Sequence, residues 1–199
     1  AEGGTQAPRL PNQNPDNLSA QIMMHADQLT QKGEGKVVAV IDTGVEMTHP
    51  AFAGALHGTP GLSKDKVAAL TPKLGDGKLG VYVSEKFPFA YDYADGDNDA
   101  MPAKGPYGSH GTHVAGITAG DADQIVGVAP EAQVIVAKVS RSEDGDIPDS
   151  ALLAALDDMV VLHPDVVNLS LGQLGGMDNE ADSVFASVFK KLQDEGISV

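Results

Sequence analysis

At 199 residues, 42% of them hydrophobic, the chain is long enough to bury one sizeable core and falls in the range of a single globular domain. Its 28 acidic against 13 basic residues leave a net charge of −15, which repels nucleic acid and anionic membrane surfaces and argues against both as partners. No stretch is apolar over the length of a bilayer, the first residues lack a signal-peptide pattern, and zero cysteines exclude a disulfide framework and thiolate zinc sites.

Residues 1–17, with Pro8, Pro11 and Pro15 among Asn, Gln and Gly, show no apolar period and read as an extended linker ahead of one domain over 18–199. From Asn17 to Gln31 the apolar residues Leu18, Ile22, Ala26 and Leu29 recur at helical steps, with Gly33 and Gly35 as a stop. Val37-Val38-Ala39-Val40-Ile41 is a continuous β-branched run, the pattern of a strand buried on both faces of a parallel sheet, and it ends at Asp42. Residues 53–105 are rich in Gly, Pro, Asp and Lys and read as long surface loops, with one short strand near Phe87–Ala90.

Strand patterns return at Val134–Val139, at Val166–Leu171 and at Ile197–Val199. A helix capped by Asp149 or Ser150 lies between the first two, with Leu152, Leu153, Leu156, Met159 and Val160 on one face and Pro164 as its limit. A second runs from about Asp178, with Ala181, Val184, Phe185, Val188 and Leu192 on one stripe and Gly196 as a left-handed cap. Strands alternating with helices predict an α/β fold with a doubly wound, mostly parallel sheet and helices on both faces. Ligand sites in such sheets lie beyond the carboxyl ends of the strands, where Asp42 and Ser170 fall.

Two motifs carry chemistry. Asp42-Thr43-Gly44 places a carboxylate at a strand end, where a turn can donate hydrogen bonds to it; alone, such an Asp is as readily a turn former. Gly108-Ser109-His110-Gly111-Thr112-His113-Val114-Ala115-Gly116 starts a helix with a histidine between glycines that permit close backbone approach. A neutral imidazole there can accept a proton if a carboxylate orients its other nitrogen. His113 shares a helix face with His110, but without H-E-x-x-H or cysteine the pair does not read as a metal site.

Taken in order, V-V-A-V-I-D-T-G-V…H-P, H-G-T-H-V-A-G, V-G-V-A-P and V-V-N-L-S-L-G resemble the subtilisin-type serine peptidases over about residues 18–199. Pro88–Asp95 is similar to a stretch ahead of the histidine in the Gram-positive cell-envelope peptidases of the lactocepin and C5a-peptidase kind. The resemblance implies that Asp42 orients and supports His110, that His110 is the general base of an Asp-His-Ser triad, and that Ser170, Leu171 and Gly172 line the primary specificity pocket. It also implies that Gly145, in Asp144-Gly145-Asp146, lies on the opposite substrate-pairing strand, that the substrates are polypeptides, and that the protein is secreted or attached to the cell envelope.

Two departures qualify the resemblance. Neither G-T-S nor G-x-S-x-G occurs among the 199 residues, so the chain is expected to be the N-terminal part of a peptidase domain, truncated before the last strands and helices. It would be inactive alone, with the missing C-terminal part of the domain as its partner, because nucleophile and oxyanion donors act as a unit. Ala51 follows His49-Pro50 where many family members have a calcium-binding Asp. The loop Asp121–Gln124 and the acidic run Asp92, Asp95, Asp97, Asp99 are compatible with calcium as a cofactor or with a solvated acidic loop. A non-catalytic peptide-binding module or a calcium-binding acidic module is the alternative function.

Overall fold

The computed structural model describes residues 20–75, 80–103, 105, 107–122, 125–172 and 183–199. Strand β1, Val37–Asp42, is buried at all of its positions, as its unbroken β-branched run requires. It pairs in parallel on one side with β5, Gln133–Lys138, and on the other with β6, Val166–Asn168. Strand β2, Phe89–Asp92, pairs in parallel with the outer edge of β5. The order β2-β5-β1-β6 puts β1 in the middle, so Asp42 ends a strand flanked by neighbours on both sides. A small antiparallel hairpin, β3 Asp121–Ala122 and β4 Ile125–Val126, stands apart from this sheet.

Side chains alternate between the two faces of each strand. Val40, Ala90, Val134 and Val136 meet Ala115 and Ala119 of the helix α2, His110–Ala119, together with Phe52 and Phe87. Ala39, Ile41, Phe89, Ile135, Ala137 and Val167 pack on the other face against Ala155, Leu156, Met159 and Leu162 of α3, Asp149–Leu162. Val67 of α1, Lys64–Leu70, and Val188 and Leu192 of α4, Ala186–Asp194, complete that layer. Burying a side chain the size of Leu156 or Met159 contributes about 1.5–3 kcal/mol, and these two are fully enclosed. The α/β architecture with helices on both faces of a parallel sheet is the one expected.

Several boundaries differ from the expected ones. The helix expected over 17–31 is helical at 20–23, breaks at His25, which takes a left-handed φ of 56°, and resumes as a 3₁₀ turn at Ala26–Gln28. The stretch 53–105 holds α1, capped by the Ser63 hydroxyl accepting from Lys66 N. Strand β2 begins at Phe89 rather than Phe87, because the Phe87 N–H bonds the Ser84 side chain in a turn. Strand β6 stops at Asn168, so Ser170-Leu171-Gly172 lies outside the ladder, and Ile197–Val199 contributes a single parallel bridge, Ser198 to Val166. Helix α3 starts with Asp149 after Pro148, without a side-chain cap, and ends on a left-handed His163 before Pro164. Gly196 takes the expected left-handed φ of 77°, while 178–182 of the preceding stripe lie outside the described residues.

Candidate active site

Asp42 closes β1 with 1% of its surface exposed, and its carboxylate is held by its own turn: Thr43 N donates to Oδ1 at 2.7 Å. The same oxygen lies 2.8 Å from His110 Nδ1, across 68 residues of sequence. The other oxygen, Oδ2, is buried without a hydrogen-bond partner among the described residues. His110 is the first residue of α2, and its side chain is 42% exposed against 1% for that of Asp42. The pair thus has a sealed end and an open end. A carboxylate at Nδ1 requires that nitrogen to carry the proton, which leaves Nε2 as the acceptor on the solvent side.

Two local devices bring the pair together. Gly44 adopts a φ of +97°, and a Cβ there would meet the carbonyls of Ala100 and Met101, so the turn after β1 requires glycine. A Cβ on Gly111 would meet Gly44 O and the Asp42 side chain, so the second glycine lets α2 approach the strand end. The Thr43 hydroxyl, which the sequence reading did not single out, joins the two: it donates toward Gly108 O at 3.1 Å and accepts from Gly111 N at 3.1 Å. Its place inside D-T-G, directly after the carboxylate, was the available signal.

The expected substrate residues lie on either side of Asp42 in the strand order. Ser170 and Gly172 are exposed and Leu171 is half-buried, just past the end of β6; Asn168 Nδ2 donates to Ser170 Oγ at 3.0 Å. Gly145 follows β5, has a φ of +76°, and has open space where a Cβ would stand. Its loop is closed by Arg141 N donating to Asp146 O and Gly145 N to Arg141 O, both at 2.9 Å. The Arg141 guanidinium holds Asp144 below the usual carboxylate range.

His113 is exposed, and with Glu46, His49, Thr112 and Ile117 it lines a cleft of about 770 Å³ beside the start of α2. Among the described residues there is no group of three or more His, Asp or Glu side chains placed to hold a metal ion. Within the acidic run, Asp92 and Asp95 face Lys138, and the Asp97 and Asp99 carboxylates accept from Asp99 N and Met101 N.

The profile of the Subtilase family, Peptidase S8, matches residues 33–198. The chain is 36% identical over 185 residues to the PI-type proteinase of Lactococcus lactis subsp. cremoris, which covers 86% of this chain and 9% of that protein. It is 30% identical over 154 residues to a thermophilic serine proteinase of Bacillus sp. strain AK1, covering 74% and 29% of the two chains. It is 28% identical over 178 residues to a C5a peptidase of Streptococcus pyogenes serotype M6, covering 84% and 14%. The chain therefore spans less than a tenth of the length of the first of these relatives. Among solved structures, a cold-adapted subtilisin-like serine proteinase superposes with a TM-score of 0.53 at 25% identity, over 85% of this chain and 46% of that one. The Aeromonas sobria serine protease, solved with its chaperone, has the same fold, with a TM-score of 0.55 at 23% identity, over 85% of this chain and 24% of that one. The chain belongs to the subtilase family of serine peptidases.

Proposed function

We propose that Asp42 and His110 are the carboxylate and the general base of an Asp-His-Ser endopeptidase, with the serine supplied from outside these 199 residues. The observation that carries this reading is the 2.8 Å contact between His110 Nδ1 and the buried Asp42 carboxylate at the carboxyl end of the central strand. In the reaction, His110 Nε2 takes the proton of the serine hydroxyl as its oxygen attacks the peptide carbonyl carbon, then delivers that proton to the departing amine. Asp42 keeps the ring in the right tautomer and stabilises the imidazolium that forms, without becoming protonated. Residues 18–199 are, in this reading, the N-terminal portion of the peptidase domain, and 1–17 a linker.

The substrate is an extended polypeptide. It lies over the sheet end between the loop of Gly145 and the segment Ser170-Leu171-Gly172, adding a strand through backbone hydrogen bonds. Likeness to the cell-envelope peptidases supports secretion or attachment to the cell envelope. Without the serine and its oxyanion donors, the 199 residues alone have no peptidase activity.

The test is intact-mass spectrometry with a fluorophosphonate probe, which forms a covalent adduct with an activated serine. A polypeptide containing this chain and the expected serine should gain one adduct outside residues 1–199, and residues 1–199 alone should gain none. An adduct on a serine within 1–199 would overturn the assignment, and a longer polypeptide that neither labels nor cleaves peptides would leave a binding module instead.

A further inference from the structure

One strand over from Asp42, at the paired position of β5, lies Lys138, with none of its surface exposed. Lys138 is in turn paired with Asp92 at the end of β2. By the alternation along the strands, all three side chains belong to the face that packs α2. A buried ammonium is retained only where its donors are met. Lys138 Nζ donates to Asp92 Oδ2, to Ser142 Oγ at 2.7 Å and to Asp95 Oδ2 at 3.4 Å, which uses all of its N–H groups.

These partners come from two loops. Asp92 ends β2 and Asp95 belongs to the turn after it, which closes through Ala94 N and Asp95 N donating to Asp92 Oδ1 and through Asp92 N donating to Asp97 O. Ser142 belongs to the loop after β5, the loop that carries Gly145. A second bond joins the same two loops, Ser142 N to Asp95 Oδ2 at 2.8 Å, and the bonds from Ser142 hold Asp95 below the usual carboxylate range. At the other end, Val139 N donates to Asp42 O at 2.9 Å. The Arg141 pairs with Asp144 and Asp146 are internal to the loop and largely exposed, so they shape it without fixing it to the sheet.

We propose that Lys138 is a positioning residue for peptide binding: a buried strut, clamped between Asp92 and Asp95, that fixes the 141–146 loop through Ser142 at the level of Asp42. This rests on the peptidase reading above. The strut acts on the loop against which an extended substrate lies, not on the atoms of the triad. Its loss therefore weakens the binding of long peptides and leaves the reactivity of the serine unchanged.

The experiment compares Ser142→Ala, Ser142→Thr and the double variant Lys138→Met/Asp92→Asn in a polypeptide that contains the serine. Removing both charges keeps the double variant free of an unpaired buried charge, and the amide oxygen that Asp92→Asn introduces can still accept from Ala94 N and Asp95 N. Ser142→Ala and the double variant should raise KM for an octapeptide about tenfold, the scale of one lost charge-assisted hydrogen bond. In both, kcat, KM for a dipeptide ester and the fluorophosphonate labelling rate should stay within about twofold of wild type, the amides of 142–146 should exchange faster, and Ser142→Thr should behave as wild type. An octapeptide KM that does not move in an active protein would overturn the strut alone. So would a joint fall in kcat, ester hydrolysis and labelling. A wild-type protein that neither labels nor cleaves would remove the peptidase reading and this one with it.

Discussion

Two carboxylate-containing pairs sit side by side at the carboxyl end of the sheet, and their surroundings give them opposite uses. Asp42 and Lys138 end adjacent strands in register, both buried, and each meets a partner brought from far along the chain: His110 at 68 residues, Asp92 at 46. The Asp42 pair is sealed at the carboxylate and open at the imidazole, so a proton can reach the ring. The Lys138 pair is sealed at both ends, 0% and 1% exposed, so its charge can only hold elements together. Burial pushes the Asp92 carboxyl up, against the Lys138 ammonium and the turn N–H groups that draw it down. Access for a proton, rather than burial or charge, separates a reactive pair from a structural one.

The largest effect should come from the open pair. Asp42→Asn should lower kcat about 10⁴-fold in a polypeptide that contains the serine, because the amide favours the wrong ring tautomer, while circular dichroism stays unchanged. His110→Ala should cost as much, and turnover near wild type for either variant would refute the pair's role. The sealed pair should show the reverse pattern. Lys138→Met leaves Asp92 buried without its counter-ion and should destabilise by about 3–5 kcal/mol in urea unfolding. Adding Asp92→Asn should recover most of that loss, because it removes the unpaired charge and keeps an acceptor for Ala94 N and Asp95 N.

Lys86 tests a third buried charge. It is 6% exposed, and its ammonium donates to the carbonyls of Pro130 and Ala132. Burial lowers its pKa from 10.5 to about 8. Between those values the unfolded chain binds the proton and the folded chain does not, so this group's contribution to stability rises with pH across that window. Relative to wild type, Lys86→Met should lose that rise, read from urea midpoints on either side of the window; a constant difference would show that Lys86 keeps an ordinary pKa. The smallest effect belongs to His57, exposed and bonded to Glu131 at 2.7 Å, which raises its pKa above 6.5. A raised histidine stabilises below its unfolded pKa and loses that contribution as pH rises through the folded value. His57→Ala should therefore differ from wild type at about pH 6 and merge with it at about pH 8.5; a gap that persists at the higher pH would mean that packing, not charge, is at stake.

How much could be read from the residues in advance follows the range of the forces involved. The strand of Asp42 and the helix α3 were legible because a strand buried on both faces must be apolar throughout, and a helix on one face must repeat near every 3.6 residues. Helix α1 was missed: only Val67 of its residues is buried, so its sequence carries no stripe. His25 was missed as a break because nothing local distinguishes a left-handed histidine from a helical one. The Thr43 hydroxyl lay inside a motif already noticed, but its partners, Gly108 and Gly111, are brought to it only by the fold.

The sequence by itself determined that β1 and β5 are buried strands, that strands alternate with helices, and that a carboxylate and a histidine occupy positions that resemble those of a subtilase. Those are local properties, written in hydrophobic period and in glycine-flanked motifs. The tertiary structure alone decided the strand order and register, and with them that Asp42, Lys138 and Asp92 share one level of the sheet. It also decided that Lys138, read from the sequence as one more residue of a strand, is clamped between two loops. Register is a long-range pairing, set by packing both faces of the sheet at once, and no window of sequence contains both partners.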